Sequence, residues 1–500
     1  MEQLGVIYRR EKWWAEINWA AMERSVRQMQ SRIFKATRDG DGKRAKHLMK
    51  LLARSESAKL LAIYIITQKN SGKVTPGIDG KIYLNAEDRM ELSKESFDYR
   101  IWKFQPALRR YIPKPKDPRA PKDTPVKLRP LSIMTIKDRV MTTMIAFALN
   151  AQWEALLEPN VFGYRPGRCT QDAIQVLFKR LDRRNLIILD GDIRSFFDNV
   201  RHDAILPRIT CFGTFIRRVL NLGIVEKGCL KRPTTGIMQG NPLSPILANI
   251  ALHGLETEVE QEYGVFVIRY ADDLVVLAPT IGIMESRVIP RLNAFLAKRG
   301  LELKEEKTRI VTRREGFNFL GFTIKEPRLK LYVIPQKEKI HQFLDNVRAI
   351  ITQSGKDKQR SLIARLNLVI NGWTSYYRYS DAEAAFTRVD DALWHALWRW
   401  AKRRHPNKGH RWIAAKYFGK SGDRAWAFRD PDTGYALATA RSMKRQRYTF
   451  VVGYWSPFDK SPEAIKIGKR RRYDELRYVI EHSANGMAGL PDGCDPLLGR

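Results

Sequence analysis

Cysteine is scarce: Cys169, Cys211, Cys229 and Cys494 are the only four in 500 residues, far apart and never as a CxxC pair. That spacing argues against a structural zinc site and fits reduced thiols in a cytosolic compartment. Long apolar runs are missing too. No stretch approaches the roughly 18 consecutive apolar residues of a spanning helix, so no membrane segment is expected. Met1 to Trp14 holds acids and bases without the apolar centre of a secretory leader, so the protein is expected to stay in the cytoplasm. Acidic residues are the minority charge, 54 Asp+Glu against 89 Lys+Arg, leaving a formal net charge of +35. Solubility does not need such an excess; a polyanionic partner does.

What is present is length and pattern. A chain of 500 residues exceeds one hydrophobic core and predicts two to four domains. From Ile17 to about Gln68, apolar residues at three- and four-residue spacing predict basic helices broken at Asp39-Gly40-Asp41-Gly42. The Lys/Pro-rich stretch from Tyr111 to Pro130 predicts an exposed basic loop between strands. From Asn185 to Ile324 strands alternate with helices. The apolar run Asn185 to Asp192 ends in acid, and Ser244-Pro245 reads as an N-cap opening a helix to about Val259. Val265 to Tyr270 and Leu274 to Ala278 flank Ala271-Asp272-Asp273 as a tight hairpin. A helix from about Glu285 to Lys298 and a strand pair from Gly316 follow, an order that predicts an α+β sheet with helices on one face. Beyond Pro335 the chain reads as helical. There the stripe Trp394, Leu397, Trp398 reads as core, whereas Lys402, Arg403, Arg404, Lys408 and Arg411 crowd too closely to pair with local acids and read as a phosphate-binding face.

Extending a nucleic acid requires two divalent cations about 4 Å apart, held by hard oxygen ligands from different strands. Asp192 ends one predicted strand, and Asp272 with Asp273 sits at the tip of the hairpin expected beside it. An isolated Asp-Asp is ordinary turn chemistry. Here it lies between two apolar strands and in order with other motifs.

Those motifs resemble the reverse transcriptases of group II introns. Tyr270-Ala271-Asp272-Asp273 is similar to their YADD box, and Asp192-Ile193-Arg194-Ser195-Phe196-Phe197-Asp198 to their DIKGFFD segment. Gly236-Ile237-Met238-Gln239-Gly240-Asn241-Pro242-Leu243-Ser244-Pro245 resembles TPQGGPLSP, and Leu128-Arg129-Pro130-Leu131 with Asp138-Arg139 resembles the fingers motif. Phe162 to Arg168 is similar to FGFRPGR, Gly316 to Phe322 to the primer-grip strand, and Asn371-Gly372-Trp373-Thr374-Ser375-Tyr376-Tyr377 to a maturase signature.

The resemblance implies a right-hand polymerase divided as helical extension (1–85), fingers and palm (86–335), thumb or maturase domain (336–430) and basic DNA-binding region (431–500). It implies two Mg²⁺ ions on Asp192, Asp272 and Asp273, Gln239 at the incoming nucleotide, and Lys114 and Arg129 gripping the triphosphate. Phe197 matches an aromatic gate that selects dNTPs, though plain core packing is the other reading. Lys307 matches a residue near the leaving pyrophosphate, or equally a solvated charge. Partners implied are structured intron RNA, a DNA target and primer, and dNTPs; oligomeric state stays open. Asn241 stands where the family has a second glycine, and without the paired cysteines and histidines of an HNH domain no nicking endonuclease is expected. The implied function is copying and assisted splicing of intron RNA. A domesticated reverse transcriptase and a non-catalytic splicing factor are the alternatives.

Overall fold

The computed structural model describes residues 13–471 apart from 114–124, 127, 183, 423 and 452. Lys114, Cys494 and most of the Lys/Pro-rich stretch lie outside the described residues. The described chain begins with three helices, α1 (Trp19–Arg38), α2 (Gly42–Leu52) and α3 (Glu56–Tyr64), the first two of them basic. Short polar side chains set their starts by accepting from orphan N–H groups: Asn18 from Ala21 at 3.0 Å, Asp41 from Arg44 at 2.9 Å and Ser55 from Ala58 at 3.2 Å. α4 (Ala86–Lys94) follows, capped by Asn85.

α5 (Ile136–Glu154) is the centre of the first core. It is buried on every side, so it lacks the polar face that marks a surface helix. Phe147, for example, is almost wholly covered, and such a ring contributes about 1.5–3 kcal/mol through burial. Helices on both sides of residue 85 pack with α5 into a single apolar cluster. The buried Arg139 of α5 donates to the carbonyls of Met134 and Gly72, which ties the loop after α3 to this helix.

Two four-stranded sheets position the functional region. The first runs β2 (Leu128–Ile133), β1 (Ala107–Pro113), β4 (Ile224–Glu226), β5 (Cys229–Lys231). Here the expected loop is shorter than the sequence suggested: Tyr111 pairs with Pro130 and Pro113 with Leu128. Proline is tolerated because β2 is an edge strand and Pro113 ends β1. The second sheet runs β6 (Phe266–Tyr270), β7 (Asp273–Ala278), β3 (Ile187–Asp192), β8 (Arg309–Val311). Against it lie α6 (Thr170–Leu181), α9 (Ser244–Leu252) and α10 (Leu255–Val259), with α7 (Phe196–Asn199) and α8 (Gly213–Leu220) between β3 and β4. The helix expected from Ser244 to Val259 is thus broken, at Gly254, whose φ of 91° is left-handed. Nor does Ser244 cap it; its hydroxyl donates to the Met238 carbonyl from within the helix. The helix expected from Glu285 begins earlier, at Ile281–Ile283, and passes through a π turn, Met284–Val288, before α11 (Ile289–Ala297) with Pro290 in its first turn.

A third sheet, β9 (Phe317–Phe319), β10 (Phe322–Lys325) and β11 (Tyr332–Pro335), leads to α12 (Lys337–Gln353), α13 (Gln359–Tyr377), α14 (Glu383–Arg404) and α15 (His410–Tyr417). These form a second apolar cluster that also takes the outer face of β3 and β7. An unforeseen hairpin, β12 (Phe418–Ser421) with β13 (Arg424–Phe428), and α16 (Pro462–Arg471) complete the described chain. The stripe expected to be core divides. Leu397 is buried, whereas Trp394 is 37 % exposed and stacks on Trp398 at 5.5 Å.

Candidate active site

Asp192 is the last residue of β3, and in the antiparallel pairing with β7 it lies directly opposite Asp273. Asp273 also pairs with Tyr270 across the β6–β7 hairpin, which leaves Ala271 and Asp272 as its two-residue tip. A two-residue connection needs positive φ, and Ala271 supplies it at 57°. The acids separated by 80 positions between 192 and 272 therefore line one cleft, of about 580 Å³, together with Arg129, Phe197, Gln239 and Lys307. Of the six non-glycine residues with positive φ among the described residues, four, Tyr164, Ser195, Ala271 and Leu320, line this same cleft. Strained backbone of this kind persists where surrounding structure over-determines it, as it does around active sites.

Electrostatics single out the same place. Burial pushes the Asp273 carboxyl up to about 8, with Asp272 and Asp192 adding repulsion. Asp272 is raised as well, chiefly by burial and then by Asp192, against the pull of Arg129 and Lys307. Asp273 touches solvent within the cleft yet lies deep between its walls, so accessibility and desolvation part company there. Lys307 Nζ meets Asp192 Oδ2 at 2.5 Å; burial opposes its charge, but Asp192, Asp273 and Asp272 more than offset that and raise its pKa. Among the described residues no three acidic, imidazole or thiol groups already converge tightly enough to hold an ion. Asp192 is instead turned to Lys307. The donor set nonetheless suits a divalent cation: hard oxygens whose mutual repulsion a cation relieves.

The wall around the acids separates residues that the sequence left ambiguous. Both adjoining phenylalanines border the cleft: Phe196 is buried in the first core, and Phe197 is half-buried against that core, edge-on to Tyr164 at 6.5 Å. Gln239 accepts at its backbone carbonyl from Ser132 N at 2.8 Å, which joins its loop to β2 and Arg129. In that loop Gly236 and Gly240 carry positive φ and Asn241 does not. Asparagine in place of a glycine therefore adds no strain, and its Oδ1 accepts from Leu243 N at 2.9 Å. Two lining residues, Tyr164 and Lys304, were not named as candidates from the sequence, and neither was Asp190, two residues before Asp192, whose carboxyl is raised by burial and faces Arg309. Asp190 had a signal, since residues two apart on a strand share a face.

The basic residues of the helical region do not act alike. Lys402 and Arg403 are exposed and line a groove of about 410 Å³ with Arg348 and Arg399. Lys408 lies over the Trp412 ring at 5.5 Å, and Arg411 is exposed. Arg404 points inward, donating to the carbonyls of Gly355 at 2.9 Å and Asp357 at 2.8 Å and covering Trp400. No described helix is long and apolar enough to cross a membrane.

Comparison with known proteins is consistent along the chain. Residues 14–95 match the N-terminal domain of reverse transcriptase, 112–324 match reverse transcriptase (RNA-dependent DNA polymerase), and 340–418 match the group II intron maturase-specific domain. The chain is 29 % identical to maturase-like protein 1 of Euglena gracilis, over 73 % of this chain and 77 % of that protein. It is 26 % identical to protein YkfC of Escherichia coli, over 62 % and 92 %. With the group II intron-encoded protein LtrA of Lactococcus lactis it shares 28 % identity over 38 % of this chain and 32 % of that protein. Three matches in this order, over a palm whose acids meet at one hairpin, mean that the chain belongs to the group II intron reverse transcriptase/maturase family and is an RNA-directed DNA polymerase.

Proposed function

We propose that the cleft adds dNTPs to the 3′-hydroxyl of a DNA primer on an RNA template, with Asp192, Asp272 and Asp273 holding two Mg²⁺ ions. When bound, the two ions activate the primer hydroxyl and neutralise the triphosphate. The protein's own part is placement. Asp272 and Asp273, raised by burial and mutual repulsion, give up protons to take up positive charge. Arg129, with Lys114, grips the triphosphate through charge-assisted bonds. Gln239 positions the incoming base, Phe197 blocks a ribose 2′-hydroxyl, and Lys307 leaves Asp192 to meet the departing pyrophosphate.

The exposed Lys402, Arg403, Lys408 and Arg411 bind the backbone of structured intron RNA, and residues 431–500 engage the DNA target. In this reading 1–85, 86–335, 336–430 and 431–500 are the extension, the fingers with palm, the maturase domain and the DNA-binding region. The observation that carries the polymerase reading is the register of Asp192 against Asp273 beside Asp272. Primer extension on poly(rA) with an oligo(dT) primer tests it. The wild-type chain is expected to extend with Mg²⁺ and Asp272→Asn to fall to background; equal activity of the two overturns the assignment.

A further inference from the structure

Beneath the hairpin tip lies a buried polar network that the steps above leave unused. Arg269, in β6, is fully buried, as are Glu256 and Asn249. Its Nε donates to Glu256 Oε1 at 2.9 Å, while its Nη1 donates to Asn249 Oδ1 at 3.2 Å and to the Ala271 carbonyl at 3.3 Å. That carbonyl belongs to the residue whose left-handed φ of 57° shapes the turn. Its neighbour in the chain beyond it is Asp272. The same network grips the turn from below: Asn249 Nδ2 donates to the Gly163 carbonyl at 3.0 Å, and Phe162 N to the Arg269 carbonyl at 2.9 Å. Gly163 lies so close that a Cβ there would stand 2.4 Å from Ala271 N.

Burying a charged triad is poor evidence of a stabilising role, because well-packed apolar residues of similar volume often serve stability as well or better. A guanidinium does offer something an apolar side chain lacks. Its rigid fork reaches a carboxylate, an amide and a carbonyl at fixed angles at once. One of these three is the strained peptide that aims Asp272.

We propose that Arg269 is a positioning residue for the polymerase reaction: anchored by Glu256 and Asn249, it holds the Ala271 carbonyl so that Asp272 faces Asp192 and Asp273. This rests on the reading of those acids as metal ligands. Arg269 touches no substrate, and its influence reaches the cleft through the direction of one peptide.

The test uses the full chain in four forms: wild type, Asp272→Asn, Arg269→Lys, and Arg269→Met combined with Glu256→Gln. The double variant removes both buried charges, so neither is left unpaired. Arg269→Lys keeps the charge opposite Glu256 and loses the fork. Thermal melting without metal reports folding, Mn²⁺ binding followed by electron paramagnetic resonance reports the site without turnover, and primer extension gives the half-saturating Mg²⁺ concentration. The expected result is that folded variants at Arg269 bind Mn²⁺ about tenfold more weakly and need about tenfold more Mg²⁺, with primer–template affinity unchanged. A folded variant, double or lysine, that binds Mn²⁺ and responds to Mg²⁺ like the wild type overturns the proposal. Should Asp272→Asn also bind Mn²⁺ normally, the ligand assignment fails first and takes this inference with it.

Discussion

At the scale of single residues, adjacent phenylalanines border the same cleft but differ in burial: Phe196 is buried in the first core, and Phe197 is half-buried against it beside Tyr164. The sequence could not separate them, because the direction of each ring depends on Ser195, whose φ of 44° turns the chain sharply after β3. Replacing Phe197 with Ala should open room for a 2′-hydroxyl. The ratio of kcat/KM for rNTP to that for dNTP is expected to rise about 10- to 100-fold, the range that a steric contact of this size provides, with dNTP incorporation retained. Single-nucleotide insertion assays check this; an unchanged ratio means that Phe197 only packs. Charge was likewise legible as composition and not as role: Arg404 reads like its neighbours Lys402 and Arg403, yet it binds backbone carbonyls. A second prediction concerns Glu158. Burial alone would raise its carboxyl, but the bond and charge of His253 and the charge of Arg269 outweigh that and hold it below its ordinary value. A carboxyl depressed in the folded state stabilises above its unfolded pKa of about 4.3, and that contribution is lost as pH falls through the lower folded value. Urea midpoints measured from neutral pH to pH 3 should therefore fall less steeply at the acid end in Glu158→Gln than in the wild type.

Among elements, those that announce themselves by a period or a turn were legible, and those defined by tertiary surroundings were not. The hairpin of β6 and β7 shows in the sequence because apolar strands flank Ala271-Asp272-Asp273, of which the structure takes Asp273 into β7, and β3 shows because an apolar run stops in acid. α5 does not, since a helix buried on all sides has no polar face to mark its period. Nor does the helix break at Gly254, or β12 with β13, whose pairing is interrupted by a bulge near Gly419. Contact between the loop at Gly163 and the hairpin of β6 and β7 belongs to this scale as well. It is a close approach of two backbones, invisible until the strands are in place. Gly163→Ala would put its Cβ 2.4 Å from Ala271 N and 3.0 Å from Tyr270 C, so the hairpin or the loop must move. A displacement near 1 Å at a reacting centre can cost about 10²-fold in rate. The expected outcome is a loss in kcat of that order, with primer–template affinity within about twofold of the wild type by the same account of positioning. Near-normal kcat would mean that the loop gives way without disturbing the turn.

At the scale of the whole molecule, the chain closes on itself. After the helical region, residues 448–459 return to the palm and then to the first helix. Tyr448 OH meets Cys169 Sγ at 2.9 Å, and Val451 N donates to Asp172 Oδ1 at 2.9 Å. Arg168 donates to the carbonyls of Gly453 at 2.8 Å and Trp455 at 3.2 Å. Phe458 then enters the first core 6.5 Å from Phe34, and Asp459 pairs with Arg38 at 3.0 Å across 421 positions. The resemblance implied a separate basic region, 431–500, and neither it nor composition carries information about such return contacts. Their weights differ. The Arg38–Asp459 pair is partly exposed, so it is worth about 0–1 kcal/mol. Phe458 is 2 % exposed, and truncating a ring buried to that degree costs about 3–5 kcal/mol. Phe458→Ala should therefore lower the melting temperature clearly, and Arg38→Ala should barely change it. Because the lost contact joins α1 to residues 455–459, limited proteolysis of Phe458→Ala should release the segment beyond it before the polymerase region is cut, with extension of an unstructured template retained at low temperature. A Phe458→Ala protein that melts and resists protease like the wild type would mean that the returning segment is not docked on α1 in solution.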